Sequence, residues 1–150
     1  MRRTLILTGA SRGIGRALAL ELAQAGYDLV LNARSEKPLM EVAEEVRALG
    51  ARAEAVAGSA GKAQVAEELV RRAEALGGFY GYIHNAGVLH PGPLVYELAE
   101  ALFMEILEAN LIAGYQLSRF AYPLLRPKGE GVAVYLGSGA AESNLPGIGA

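Results

Sequence analysis

TLILTGASRGIG, residues 4–15, joins an apolar run, a loop with Gly9, Gly13 and Gly15, and the first turn of a helical pattern. Leu5, Ile6 and Leu7 have the unbroken apolar character of a strand covered on both faces. After Thr8 the chain must turn; Gly9 permits the turn, Gly13 lets backbone approach a pyrophosphate, and Gly15 permits close packing of helix on strand. A helix starting inside the loop presents unpaired N–H groups and partial positive charge at its first turn. Strand, loop and helix in this register predict a diphosphate cradle, with Ser11, Arg12 and Ile14 as contacts beside the glycines.

The same alternation runs along the rest of the chain. DLVLNA (28–33), RAEAVA (52–57), FYGYIH (79–84) and GVAVYLG (131–137) have the length and largely apolar character of further covered strands. Between them lie helical patterns. One has Ile14, Leu18 and Leu22 on one face and stops at Gly26; a second has Pro38 near its first turn, Leu39, Val42, Val46 and Leu49 on one face, and stops at Gly50. A third places Val65, Leu69, Ala73 and Leu76 together, and residues 94–125 predict a short helix followed by a long one. Strands alternating with helices imply right-handed crossovers and an α/β, Rossmann-type doubly wound parallel sheet of five strands in the order 3-2-1-4-5. Ligands of such sheets bind at the strands' carboxyl ends, so the chemistry is expected just after strands 1, 4 and 5.

Composition narrows the function. With 150 residues, 52% hydrophobic and 20% charged, the chain reads as one globular domain, and a net charge of −2 with scattered basic residues leaves no footprint for nucleic acid or an anionic membrane. There is no cysteine, and MRRTLILTG is too short an apolar stretch for a signal peptide or membrane span, so a cytoplasmic protein is expected. Asp28 is the sole Asp and His84 and His90 the sole His, which leaves almost nothing for a Ser-His-Asp triad and no metal site.

The spacing Gly-x-x-x-Gly-x-Gly after strand 1 is not the Gly-x-Gly-x-x-Gly of most dinucleotide folds; it resembles the short-chain dehydrogenase/reductase family almost letter for letter. NAD-binding folds place an acid about 20 residues beyond the loop, at the end of strand 2, whereas NADP binders carry Arg there. Here Ala33 stands in the acid's place, followed by Arg34 and Ser35; Asp28 is at the wrong end of the strand and Glu36 is past it. Arg12 adds a second cation where NADP-preferring members of the family often have one, so NADP(H) is the expected cofactor. The resemblance further implies cofactor contacts from Asn85-Ala86-Gly87, with His84 in place of a commonly seen Asn, and from Ser59 where the family usually has an Asp near the adenine. It also implies Asn110 as the holder of a water in a proton relay and Ser138 as the hydroxyl that polarises the substrate carbonyl. His84 itself reads as a hydrogen-bonded core residue and His90 as loop.

The family's proton donor is a Tyr in Tyr-x-x-x-Lys, and none stands in these 150 residues. Tyr115 with Arg119 and Tyr122 with Arg126 imitate the spacing but lie within the long helix, and Arg does not replace Lys in this chemistry. Counting from Ser138, the Tyr is expected at or just past Ala150, so residues 1–150 read as an NADP-binding domain that continues beyond Ala150, its carboxyl-terminal strands and helices missing. That makes strand 5 an exposed apolar edge. The activity implied is NADPH-dependent reduction of a carbonyl compound, or the reverse alcohol oxidation, with the 150-residue portion alone inactive. A non-catalytic NADP(H)-binding or sensing module of the same family is the alternative. VLHPGPLVYELA (88–99) has no charge before Glu97 and suits a neutral or apolar substrate, and family members usually form homodimers or homotetramers through the long helix.

Overall fold

In the computed structural model, residues 1–142 are described. Five parallel strands, β1 (Thr4–Thr8), β2 (Asp28–Ala33), β3 (Ala53–Ala57), β4 (Phe79–His84) and β5 (Val132–Tyr135), form one sheet in the order β3-β2-β1-β4-β5, as expected. The helices are α1 (Gly13–Gln24), α2 (Glu36–Ala48), α3 (Ala63–Leu76), α4 (Glu100–Leu107) and α5 (Ala113–Leu125).

Alternation along β1 sorts the core into two layers. Leu5 and Leu7 pack with Leu29 and Leu31 of β2 against Ala19 and Ala23 of α1 and Leu39, Val42 and Val46 of α2. Ile6 and Val30 point the other way, onto Leu69 and Ala73 of α3 and Leu117 and Ala121 of α5. At roughly 25 cal/mol per Å² of apolar surface, each fully buried Leu or Ile contributes about 1.5–3 kcal/mol. All of β1 and β2 is buried, which explains the apolar runs LIL and LVL at their centres. Two polar residues in that core are satisfied. Asp28, fully buried, accepts 2.8 Å bonds from Arg52 N and Nε, and Asn32 donates from Nδ2 to the carbonyls of Val56 (2.9 Å) and Gly58 (3.0 Å), tying β2 to the end of β3.

Several expectations need correction. The short helix within residues 94–125 begins only at Glu100, because residues 94–97 close instead as a turn with Leu94 O accepting from the N–H groups of Glu97 and Leu98. Nor does a break separate it from the long helix: α4 runs into α5 through a π turn, Glu108–Ile112, that contains Asn110. β5 is also shorter than the seven residues read as strand, and it is not covered on both faces. It lies at the sheet edge with Val134, Tyr135 and Leu136 exposed, the edge anticipated from the sequence. Tyr115 and Tyr122 are exposed on the surface of α5. No described helix is long and apolar enough to cross a membrane. Residues 143–150, including the LPGIGA loop, lie outside the described residues.

Candidate functional site

A cleft of about 470 Å³ opens at the carboxyl ends of β1, β2 and β4, where the winding direction of the sheet changes. Its floor is the glycine loop. Gly9 has φ +65° and a Cβ there would lie 2.9 Å from the backbone of Ala86, while a Cβ on Gly15 would lie 1.9 Å from Gly9 O. Glycine at both positions is therefore what allows the loop to fold onto helix and neighbouring strand. Asn85 Nδ2 fastens this approach by donating to the carbonyls of Thr8 (3.3 Å) and Gly9 (3.1 Å).

Thr8 and His84 anchor the loop from below. The Thr8 hydroxyl oxygen accepts from the N–H groups of Asn85 (3.1 Å) and Ala86 (3.0 Å), so its own proton goes to Nδ1 of His84, 3.0 Å away. His84 is thereby held as the Nε2-protonated neutral tautomer, with Nε2 buried beside the backbone carbonyls of Ala109 and Asn110 in the π turn. Burial pushes the His84 pKa below its ordinary value, the nearby carbonyls opposing that shift in part. His84 is a core residue, as the sequence implied.

The expected contacts come together in this cleft. Ser11, Arg12, Gly13 and Ile14 line it from the loop, Arg34, Ser35 and Ser59 from the ends of β2 and β3, and Asn85-Ala86-Gly87 from the end of β4. At the start of α1 no side chain caps the first turn, and a Cβ at Gly13 would meet nothing within 4 Å, so the helix N-terminus is open to an anion. Arg12 makes no ion pair among the described residues. Arg34 does, donating from Nη1 to Glu105 Oε1 on α4 at 2.9 Å, and Glu105 Oε2 stands 3.4 Å from Nε2 of His90. Hydrogen bonding from Arg34 holds the Glu105 carboxyl below its ordinary pKa. Ser59 is likewise engaged, donating to Glu108 Oε1 at 2.9 Å.

Family-model matching spans residues 3–150 with the short chain dehydrogenase family. The chain belongs to the short-chain dehydrogenase family. It is 36% identical over 129 residues to a 3-oxoacyl-acyl-carrier-protein reductase of Aggregatibacter actinomycetemcomitans, covering 85% of this chain and 52% of that protein. It is 29% identical over 137 residues to an NADPH-dependent pterin aldehyde reductase of Arabidopsis thaliana, 91% of this chain and 57% of that one. The chain thus spans between half and three-fifths of the length of these relatives. Among solved structures it is similar to a metagenomic short-chain oxidoreductase in complex with NADP (28% identity, TM-score 0.90, 97% of this chain and 66% of that one). It is also similar to an alcohol dehydrogenase of the archaeon Thermococcus sibiricus complexed with 5-hydroxy-NADP (30% identity, TM-score 0.89, 99% and 63%).

Neither candidate catalytic residue of this short-chain dehydrogenase, Asn110 or Ser138, lines the cleft, although Val88 and Ala109, next to Asn110, do. Asn110 clamps the loop after Gly87: its Oδ1 accepts from Val88 N at 2.7 Å and its Nδ2 donates to Val88 O at 2.9 Å. A π turn is where a helix opens its regular bonding, often at functional sites, and here it lets Asn110 face that loop. Ser138 follows β5 by three residues, as Gly87 follows β4, and His84 pairs in register with Tyr135. Its Oγ accepts from Ala140 N at 3.2 Å, which leaves the O–H as a donor. Thr8, Asn32, Glu105 and Glu108 are the residues sequence reasoning missed. Asn32, polar directly after the apolar run LVL of a buried strand, carried a signal; the two glutamates, in a helix of ordinary composition, carried none.

Proposed function

We propose that the protein containing this chain is an NADPH-dependent oxidoreductase that reduces a carbonyl compound or catalyses the reverse alcohol oxidation. The observation that carries the reading is the cleft itself: an uncapped helix N-terminus beside glycines that a Cβ would block, with Arg12 and Arg34 at the end where an acid would mark NAD. The donor set fits the cofactor. The α1 N-terminus and the loop around Gly13 would hold the diphosphate, Arg12 and Arg34 with Ser35 the 2′-phosphate, Ser59 the adenine side, and Asn85-Ala86-Gly87 the backbone beside the nicotinamide ribose. NADPH supplies the hydride.

Ser138 donates its hydroxyl proton in a hydrogen bond to the substrate oxygen, where negative charge develops as the carbonyl is reduced. Asn110, fixed through Val88, would hold a water of the relay that returns a proton. The proton donor in this reading is a Tyr of a Tyr-x-x-x-Lys segment following Ala150. Residues 88–99 form one wall of the substrate site, and Leu89, Val95 and Tyr96 there are exposed apolar groups suited to a neutral substrate. Phe103, Met104, Leu111 and Tyr115, exposed on α4 through α5, favour a homo-oligomer.

The test is a panel of carbonyl compounds offered to the full-length protein with NADPH oxidation followed at its absorbance. Turnover of any of them supports the enzyme. The alternative, an NADP(H)-binding or sensing module of the same family, gives binding without turnover on the same panel.

A further inference from the structure

Of the two arginines at the cleft's ribose end, one stands without a carboxylate partner among the described residues and the other does not. Arg34 gives Nη1 to Glu105 across 71 positions of sequence, from the end of β2 to α4, while the second oxygen of Glu105 stands 3.4 Å from His90 Nε2. Glu105 is thus a carboxylate fixed against the very guanidinium that the 2′-phosphate would use. The contact is a single N–H to a single oxygen, so Nε and Nη2 of Arg34 remain available as donors.

We infer that Glu105 is a selectivity-determining residue of the cofactor site, one that weakens the hold of Arg34 on a 2′-phosphate and so narrows the preference for NADPH over NADH. This rests on the reading of the cleft as an NADP(H) site. The reason is electrostatic. A 2′-phosphate is a dianion close to neutral pH, and a carboxylate across the same guanidinium cancels part of the field that attracts it; near a protein surface one such charge changes affinity by about 3- to 10-fold at moderate salt. NADH carries no charge at that position and does not sense the difference. Geometry keeps the effect local, because Glu105 touches Arg34 and His90 and does not line the cleft.

The experiment uses Glu105→Gln in the full-length protein. The amide oxygen keeps an acceptor for Arg34 Nη1 and removes the charge alone. Dissociation constants are measured by calorimetry for NADPH and NADH, and for the fragments 2′,5′-ADP and 5′-AMP, so no turnover is needed. The expected result is that NADPH and 2′,5′-ADP bind about 3- to 10-fold more tightly to the variant, while NADH and 5′-AMP stay within about twofold. In the Arg34→Ala background, where the carboxylate acts only by direct repulsion of the 2′-phosphate, the gain shrinks, and an undiminished gain overturns the part assigned to Arg34. Unchanged or weaker NADPH binding in Glu105→Gln, with wild-type protein still preferring NADPH, overturns the role of Glu105 and leaves the cofactor reading standing. Wild-type preference for NADH overturns both.

Discussion

Replacing Gly15 by Ala, with Gly13→Ala as its counterpart, separates the two duties of the glycine loop. A Cβ on Gly15 would sit 1.9 Å from Gly9 O and 2.7 Å from Asn85 Nδ2. The oxygen cannot give way locally: Asn85 Nδ2 donates to it at 3.1 Å, and the Gly9 backbone is already close to Ala86. Helix α1 must therefore move off β1. Overpacking costs about 1–3 kcal/mol, and a clash with backbone belongs at the upper end. At about 2–4 °C per kcal/mol for a domain of this size, the melting temperature falls by roughly 6–12 °C. Gly13 differs, since a Cβ there meets nothing within 4 Å and its penalty is the left-handed backbone at φ +57°. That strain is about 1–2 kcal/mol, a fall of a few degrees. Because the new methyl group stands where the diphosphate approaches, NADPH binding drops by about tenfold or more, equivalent to at least 1.4 kcal/mol. Thermal unfolding by circular dichroism and NADPH titration of the two full-length variants measure both effects. A Gly15→Ala protein melting with the wild type, or a Gly13→Ala protein binding NADPH with wild-type affinity, refutes the assignment of these duties.

The remaining predictions concern Ser138, Asn110 and the core beneath the cleft. Ser138→Ala should lower kcat for carbonyl reduction by about 10²–10³-fold, as loss of one donor to a developing oxyanion does, with the NADPH dissociation constant unchanged. Asn110→Ala removes both bonds to Val88, at about 0.5–1.5 kcal/mol each, so chemical denaturation should show a loss of about 1–3 kcal/mol together with reduced kcat. His84 is held neutral in the fold with its pKa below the ordinary 6.5, so the unfolded chain takes up a proton first as pH falls. Its contribution to stability is complete above pH 6.5 and is lost as pH falls from there toward the folded value. Melting temperatures measured across that window should fall with pH in the wild type, and less steeply in His84→Asn.

Much of the fold could be read from sequence because it is written in short-range patterns. Unbroken apolar runs such as LILT and LVL mark strands buried on both faces, and four-residue spacing such as Val42 with Val46 marks the helical faces over them. The glycine loop was legible for a different reason: Gly9 and Gly15 are demanded by sterics that no other residue meets. What escaped was long-range. The pairing of Arg34 with Glu105 and of Ser59 with Glu108 joins loops to a helix dozens of residues away, and a surface Glu in a helix has no local mark of such a partner. The π turn at Glu108–Ile112 was hidden too, since Asn110 disfavours a regular helix without saying whether the helix ends or widens. The strand reading runs past β5 because the apolar sequence continues through Leu136, whereas the register with β4 ends at Tyr135 and Leu136 adds one last bond to His84 O.

The central claim, a cofactor cleft built for a 2′-phosphate, is tested most directly by calorimetric titration of the full-length protein with NADPH and with NADH. The expected result is a dissociation constant for NADPH lower by about tenfold or more, the equivalent of one charge-assisted bond from Arg12 or Arg34. Equal affinities, or tighter binding of NADH, would contradict it.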